Sequence, residues 1–272
     1  MKRILTLLLA AGLVLSLAAC SKSDSGDASN AATDNGANAA NTESTGGDKV
    51  WVIASDTVFK PFEYTDASGN FIGIDVDIVA AIAEDQGFQY EMQSLGWDAA
   101  IAACQAGQAD GMIAGASITD ERKESGWIFS DGYYTATQSM TVAEDSTIAG
   151  FEDLSGKMVA VKTGTQGATY AESLKDEYGF NLTYFEDSPT MYQAVMGGQA
   201  AACFEDTPVM AASIKENDMA LRIVEGTENE GGDYGFAIFK AENQELIDMF
   251  NAGLANIKAN GKYDEIIEKY LG

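Results

Sequence analysis

Short apolar runs with the character of buried strands alternate with stretches of helical periodicity along most of this chain, and the alternation occurs twice. In the first series Lys49–Ser55, Phe88–Gln93 and Asp110–Ala114 read as strands, and Asn70–Gly73 as part of a short hairpin. Ile74–Gln86 and Trp97–Ala106 read as helices, the first with apolar residues at Ile74, Ile78, Ala81 and Ile82. A longer extended segment, Tyr133–Ala143, leads into the second series. There the strands are Met158–Lys162, Asn181–Phe185, Ala200–Glu205 and Leu221–Val224, and the helices are Gln166–Tyr178, Thr190–Met196 and Pro208–Glu216. Tyr234–Phe239 is extended again, and helices over Asn243–Ala259 and Tyr263–Tyr270 close the chain. Alternation of this kind is satisfied by mainly parallel sheets covered with helices. Two such series joined by two extended segments predict an α/β protein of two lobes with a double crossover. Gly231, Gly232 and Gly235 suit a flexible strand entrance.

The beginning of the chain is outside that pattern. Lys2 and Arg3 precede an apolar run from Ile4 to Val14, and small residues lead to Cys20. That is the three-part form of a secretory signal, too short for a membrane span. Leu17-Ala18-Ala19-Cys20 resembles a bacterial lipobox, which implies cleavage of residues 1–19 and a diacylglycerol on the Cys20 sulfur. Residues 21–47 hold no aromatic residue and no aliphatic side chain beyond alanine. Such a segment buries too little to offset its ordering entropy and reads as a tether with a mean reach of about 30 Å. About 225 residues remain, enough for two lobes of about 100 each.

Composition narrows the function. The formal net charge is −26, which excludes nucleic acid as a partner. There is no histidine, and after Cys20 only Cys104 and Cys203 remain. A disulfide scaffold needs more, and a catalytic cysteine would lack its usual base. The two read as small buried hydrophobes.

Ligands of open α/β sheets bind beyond the carboxyl ends of the strands. At one such end stands Ala114-Gly115-Ala116-Ser117-Ile118-Thr119-Asp120-Glu121-Arg122, with small residues, hydroxyls and an arginine in nine positions. Arginine offers a planar fork of donors matched to the two oxygens of a carboxylate. The same arginine also fits a surface turn capped by Thr119 or Asp120. Lys162-Thr163-Gly164-Thr165-Gln166-Gly167 follows a strand and opens a helix, an arrangement of backbone N–H groups suited to an anion and equally to a plain threonine cap. Phe204-Glu205-Asp206-Thr207-Pro208 also lies between strand and helix, where Asp206 suits an N-cap.

These segments, together with Ala54-Ser55-Asp56-Thr57-Val58-Phe59-Lys60-Pro61-Phe62-Glu63-Tyr64, Gly73-Ile74-Asp75-Val76-Asp77 and Phe129-Ser130-Asp131-Gly132-Tyr133-Tyr134, occur in the order found in bacterial solute-binding proteins for polar amino acids. Residues 49–272 resemble that family, and its glutamine-binding branch in particular. The resemblance implies a two-lobed periplasmic-binding-protein type II fold of the Venus-flytrap kind with two hinge strands. Lobe 1 is then residues 49–133 plus 237–272, lobe 2 is 139–231, and the hinges lie near 134–138 and 232–236. Residues 20–48 are the lipidated cysteine and linker.

The resemblance also assigns roles. Arg122, with the Thr165 hydroxyl and the Gln166 amide, takes the carboxylate of a free L-amino acid. Asp206, the Gly115 carbonyl and the Ser117 hydroxyl take its ammonium. Phe59 and Trp97 sandwich the aliphatic stem, and Asp56 and Lys162 grip a side-chain amide, although each also fits a structural ion pair. Glu205 departs from the branch, where histidine is usual. It is open whether it favours a cationic ligand or pairs with Lys162. A glutamine-like ligand ranks first, a basic amino acid second, and cystine or an acidic amino acid third. The resemblance thus implies a monomeric, cofactor-free receptor of an ABC importer, lipid-anchored on the extracytoplasmic face of the cell membrane, with a membrane permease as partner. It implies no enzyme. A sensory module for amino acids and a dehydratase on the same fold are the alternatives.

Overall fold

The computed structural model describes residues 49–272. The signal peptide, Cys20 and the tether expected over residues 20–48 lie outside the described residues. The chain opens with β1 (Val50–Ser55), followed by a small meander of β2 (Val58–Phe59), β3 (Glu63–Thr65) and β4 (Phe71–Ile72). Next come α1 (Ile74–Gln86), β5 (Gln89–Ser94), α2 (Trp97–Ala106), β6 (Gly111–Met112), the single-turn α3 (Asp120–Glu124) and β7 (Ile128–Phe129). Strand β8 (Tyr134–Ala136) leaves this region.

The second region holds β9 (Gln138–Ala143), β10 (Met158–Lys162), α4 (Gln166–Tyr178), β11 (Asn181–Phe185), α5 (Ser188–Met196), β12 (Ala202–Asp206), α6 (Thr207–Asn217) and β13 (Leu221–Ile223). Strand β14 (Gly232–Tyr234) returns, and β15 (Ala237–Ile238), α7 (Gln244–Ala259) and α8 (Lys262–Leu271) finish in the first region.

Two lobes result, each built on a five-stranded sheet. The orders are β5-β1-β6-β15-β7 and β11-β10-β12-β9-β13. In each, a central strand pairs in parallel with two neighbours: β1 with β5 and β6, and β10 with β11 and β12. An antiparallel strand follows in each, β15, which comes after the return crossing, beside β6, and β9 beside β12, and the antiparallel strands β7 and β13 complete the sheets. The two crossing strands β8 and β14 pair antiparallel with each other.

Local chemistry accounts for the element ends. Helices α1, α2 and α4 stop at Gly87, Gly107 and Gly179, each in the left-handed conformation that glycine adopts without a Cβ penalty. Helix α5 starts at Ser188, two residues before the sequence expectation, because the Asp187 carboxylate accepts from the Thr190 N–H at 2.7 Å. The single extended run expected over Tyr133–Ala143 is interrupted at Thr137, since β8 pairs with the returning strand and β9 with the second sheet.

The first lobe packs Ile53, Ile78, Ile82, Phe236 and Phe250 under its sheet. The second packs Met140, Val159, Val161 and Phe204. Cys104 in α2 and Cys203 in β12 are both buried free thiols, and burial pushes the Cys104 thiol up to about 12. Among the described residues no helix is long and apolar enough to cross a membrane.

Candidate functional site

The carboxyl ends of the parallel strands in both sheets face one small cavity. Of the eleven residues expected at the site, all but Asp56 line it, joined by Ala114. From the first lobe come Phe59 in β2, Trp97 at the start of α2, Gly115 and Ser117 after β6, and Arg122 in α3. From the second come Lys162 at the end of β10, Thr165 and Gln166 at the start of α4, and Glu205 and Asp206 at the end of β12. The cavity volume is about 20 Å³, roughly the space of one water. A free amino acid is far larger, so entry requires the walls to separate.

Arg122 is the most unusual group in that wall. Thr119 caps α3 by accepting the Arg122 N–H at 3.2 Å, which turns the side chain inward. The residue as a whole is 9% exposed. It donates from Nη1 to the Ser117 carbonyl at 2.8 Å and from Nη2 across the cleft to the Gly164 carbonyl at 3.2 Å. The rings of Trp97 and Trp127 lie 5.2 and 5.1 Å from Cζ. Among the described residues no carboxylate forms an ion pair with it. Desolvation brings its pKa down to about 10, against the opposing fields of Asp206, Glu121 and Tyr234.

Asp206 faces it from β12. The Asp206 carboxylate caps no helix N–H, so the capping role suggested by Pro208 is not the one adopted. Instead it accepts from Gln138 Nε2 at 2.5 Å and from the Tyr234 hydroxyl. Burial, then the neighbouring Glu205, raise its pKa to about 7. Gln138 is anchored in turn by Asn229, whose amide donates to Gln138 Oε1 at 2.7 Å. Trp127, Gln138 and Tyr234 are not among the residues expected from sequence. Trp127 lies only five residues beyond Arg122, so the spacing offered a signal; Gln138 reaches Asp206 as its cross-strand neighbour in the β9–β12 ladder, and Tyr234 reaches it from the crossing strand β14.

Two expectations about charge pairing are resolved. Lys162 pairs with Asp56, both nearly fully buried, and this ion pair joins the two lobes. Glu205 does not pair with Lys162. Its Oε2 accepts from Ser188 Oγ at 2.7 Å and the Tyr192 hydroxyl at 2.9 Å, and its Oε1 from the Asp206 N–H at 3.0 Å. Its charge is therefore directed into lobe 2.

The Thr165 hydroxyl is committed to its own loop and helix. Thr165 Oγ1 donates to the Lys162 carbonyl at 2.8 Å and accepts from the Ala168 N–H at 3.3 Å, a true N-cap. Gly115 sits at φ 56, where a Cβ would stand 2.4 Å from the Phe59 ring. Trp97 Nε1 is buried without an acceptor among the described residues. The arrangement is a cation with spare donors on one side and a buried carboxylate on the other, walled by aromatic rings. Chemically, it can hold a small zwitterion.

Known proteins share this build. The chain is 30% identical to the arginine-binding extracellular protein ArtP of Bacillus subtilis (strain 168) over 273 residues, covering 100% of this chain and 98% of that protein. It is 45% identical to the second substrate binding domain of a putative amino acid ABC transporter from Streptococcus pneumoniae Canada MDR_19A, with TM-score 0.58 and coverage of 82% and 100%. An ancestral arginine-binding protein bound to glutamine is 33% identical, with TM-score 0.75 and coverage of 82% and 98%. The two-lobed α/β architecture is that of the periplasmic-binding proteins. With residues 51–272 matching throughout, the chain belongs to the bacterial extracellular solute-binding proteins, family 3.

Proposed function

We propose that this protein is the lipid-anchored, extracytoplasmic receptor of an amino-acid ABC importer and that it captures an amino acid with a neutral, glutamine-like side chain. The observation that carries the reading is Arg122: a buried guanidinium with no anionic partner among the described residues, facing the cleft between two indoles. A buried charge of that kind is compensated when a ligand carboxylate arrives. Asp206 takes the ammonium with Ser117 and the Gly115 carbonyl, and Phe59 and Trp97 hold the stem.

The Asp56–Lys162 pair supports the carboxamide. An amide inserted between the two donates to Asp56 and accepts from Lys162. A cationic side chain would instead bring its charge against the Lys162 ammonium. A basic ligand is the second reading, supported by the arginine-binding relatives and by the three carboxylates Asp56, Glu205 and Asp206 near the cleft.

Capture proceeds by lobe closure. A ligand held from both walls binds the closed form more tightly than the open one and shifts the population toward it. The closed complex then docks on its permease, with Cys20 keeping the receptor at the membrane. A thermal-shift screen of the twenty amino acids tests the assignment. Glutamine should give the largest rise in melting temperature. A rise with arginine and none with glutamine would establish the second reading, and no rise with any amino acid would refute both.

A further inference from the structure

Beneath the cleft, Glu63 and Asp75 form a buried acid pair. Their meeting is enforced by the backbone: the Ile74 and Asp75 N–H groups donate to the Pro61 and Phe62 carbonyls at 3.0 and 2.9 Å. Gly73, between β4 and α1, approaches so closely that a Cβ would lie 2.0 Å from the Phe62 oxygen. Both carboxyls are 0% exposed. Neither forms an ion pair among the described residues.

Asp75 Oδ2 accepts from the Gly115 N–H at 3.0 Å and from the Tyr133 hydroxyl at 2.8 Å. Asp75 Oδ1 and both Glu63 oxygens have no donor. Two bare carboxylates cannot coexist in such a site. One proton on Glu63, donated to Asp75 Oδ1, gives that oxygen its donor, removes one of the two charges and leaves a single Glu63 oxygen without a donor.

We infer that Glu63 and Asp75 share a single proton and together act as a positioning element for the ligand cleft, holding the Ala114–Gly115 peptide and the Tyr133 junction with the crossing strands in place. The positioning half rests on the reading of Gly115 and Ser117 as ligand contacts. The titratable groups facing the pair are Asp56 after β1, Lys162 in β10, Tyr133 before β8 and Tyr263 in α8. Burial, then the Asp75 charge, hold the Glu63 carboxyl well above its usual range. A carboxyl whose folded pKa is raised contributes stability that is complete below its unfolded pKa and is lost as pH rises through the folded value.

Two measurements on the purified protein test this. Ligand-free melting is followed from about pH 5 to about pH 9 for the wild type and Glu63→Gln, whose amide still donates to Asp75 but has no proton to lose. The wild-type melting temperature should fall more steeply with pH than that of the variant; parallel slopes overturn the shared proton. Calorimetric titration with glutamine, and with arginine as second probe, then reads the cleft. Asp75→Ala should weaken binding about tenfold or more, the scale of an orphaned buried donor, while Glu63→Gln stays close to wild type at neutral pH. Wild-type affinity in Asp75→Ala overturns the positioning role. Should Asp75→Ala fail to fold, the affinity profiles of wild type and Glu63→Gln decide: wild type should lose affinity faster toward alkaline pH, and coincident profiles refute the role. If the wild type binds neither probe nor any other amino acid, the cleft reading fails and the positioning role with it, whereas the melting comparison still decides the proton.

Discussion

Replacing Arg122 with methionine should weaken amino-acid binding by about thirtyfold or more and leave stability nearly unchanged. The magnitude comes from the site. The guanidinium pKa, lowered to about 10, corresponds to roughly 3 kcal/mol of net cost to the charged form in the folded protein, desolvation outweighing the fields of Asp206, Glu121 and Tyr234. Methionine removes that cost and fills similar space between the Trp97 and Trp127 rings. Against this stand the two hydrogen bonds to the Ser117 and Gly164 carbonyls, about 1.5 kcal/mol each for a charged donor. The opposing effects nearly cancel, so the ligand-free melting temperature should move by no more than a few degrees. Binding behaves differently, because truncating a buried charged partner costs about 2–5 kcal/mol, or about thirtyfold to several thousandfold in affinity. Calorimetry with the best ligand from the thermal-shift screen and a melting curve without ligand make the pair of measurements. A methionine variant that loses several kcal/mol of stability would show Arg122 to be a structural residue. One that keeps its affinity would refute the carboxylate assignment outright.

Neighbouring groups give two further outcomes. Lys162→Gln leaves Asp56 without its cation, so arginine should gain on glutamine in the same thermal-shift screen; an unchanged ranking would refute the role given to the pair. Asp206, held up to about 7 by burial and by Glu205, is partly protonated near neutrality and must ionise to take a ligand ammonium. Affinity should therefore fall as pH drops below about 7, and titration in buffers of different ionisation enthalpy should detect a released proton; pH-independent affinity between about 5 and 8 would refute it. The sign for the ligand-free fold is opposite: this raised carboxyl contributes stability below its unfolded pKa that is lost as pH rises through about 7.

What could be read from the chain was local. Alternating apolar runs and helical spacing announced the strands and helices, and Thr119 and Thr165 cap helices as such residues do. Because ligands gather at the carboxyl ends of parallel strands, the polar residues just after β6, β10 and β12 were visible as candidates before any contact was known.

Partner choice was a different matter, settled only by the tertiary structure. Lys162 had a carboxylate at Glu205 in its own lobe, yet it pairs with Asp56, 106 residues away across the cleft. Glu205 is drawn off by Ser188 and Tyr192, and Asp206 by Gln138 and Tyr234. Glu63 and Asp75 meet because the close approach of Gly73 to Phe62 brings them together away from solvent, where neither forms an ion pair among the described residues. A sequence specifies which side chains are charged. Which charge meets which, and at what cost in desolvation, depends on sheet order and lobe apposition, and those place residues far apart in the chain within a few ångströms of one another.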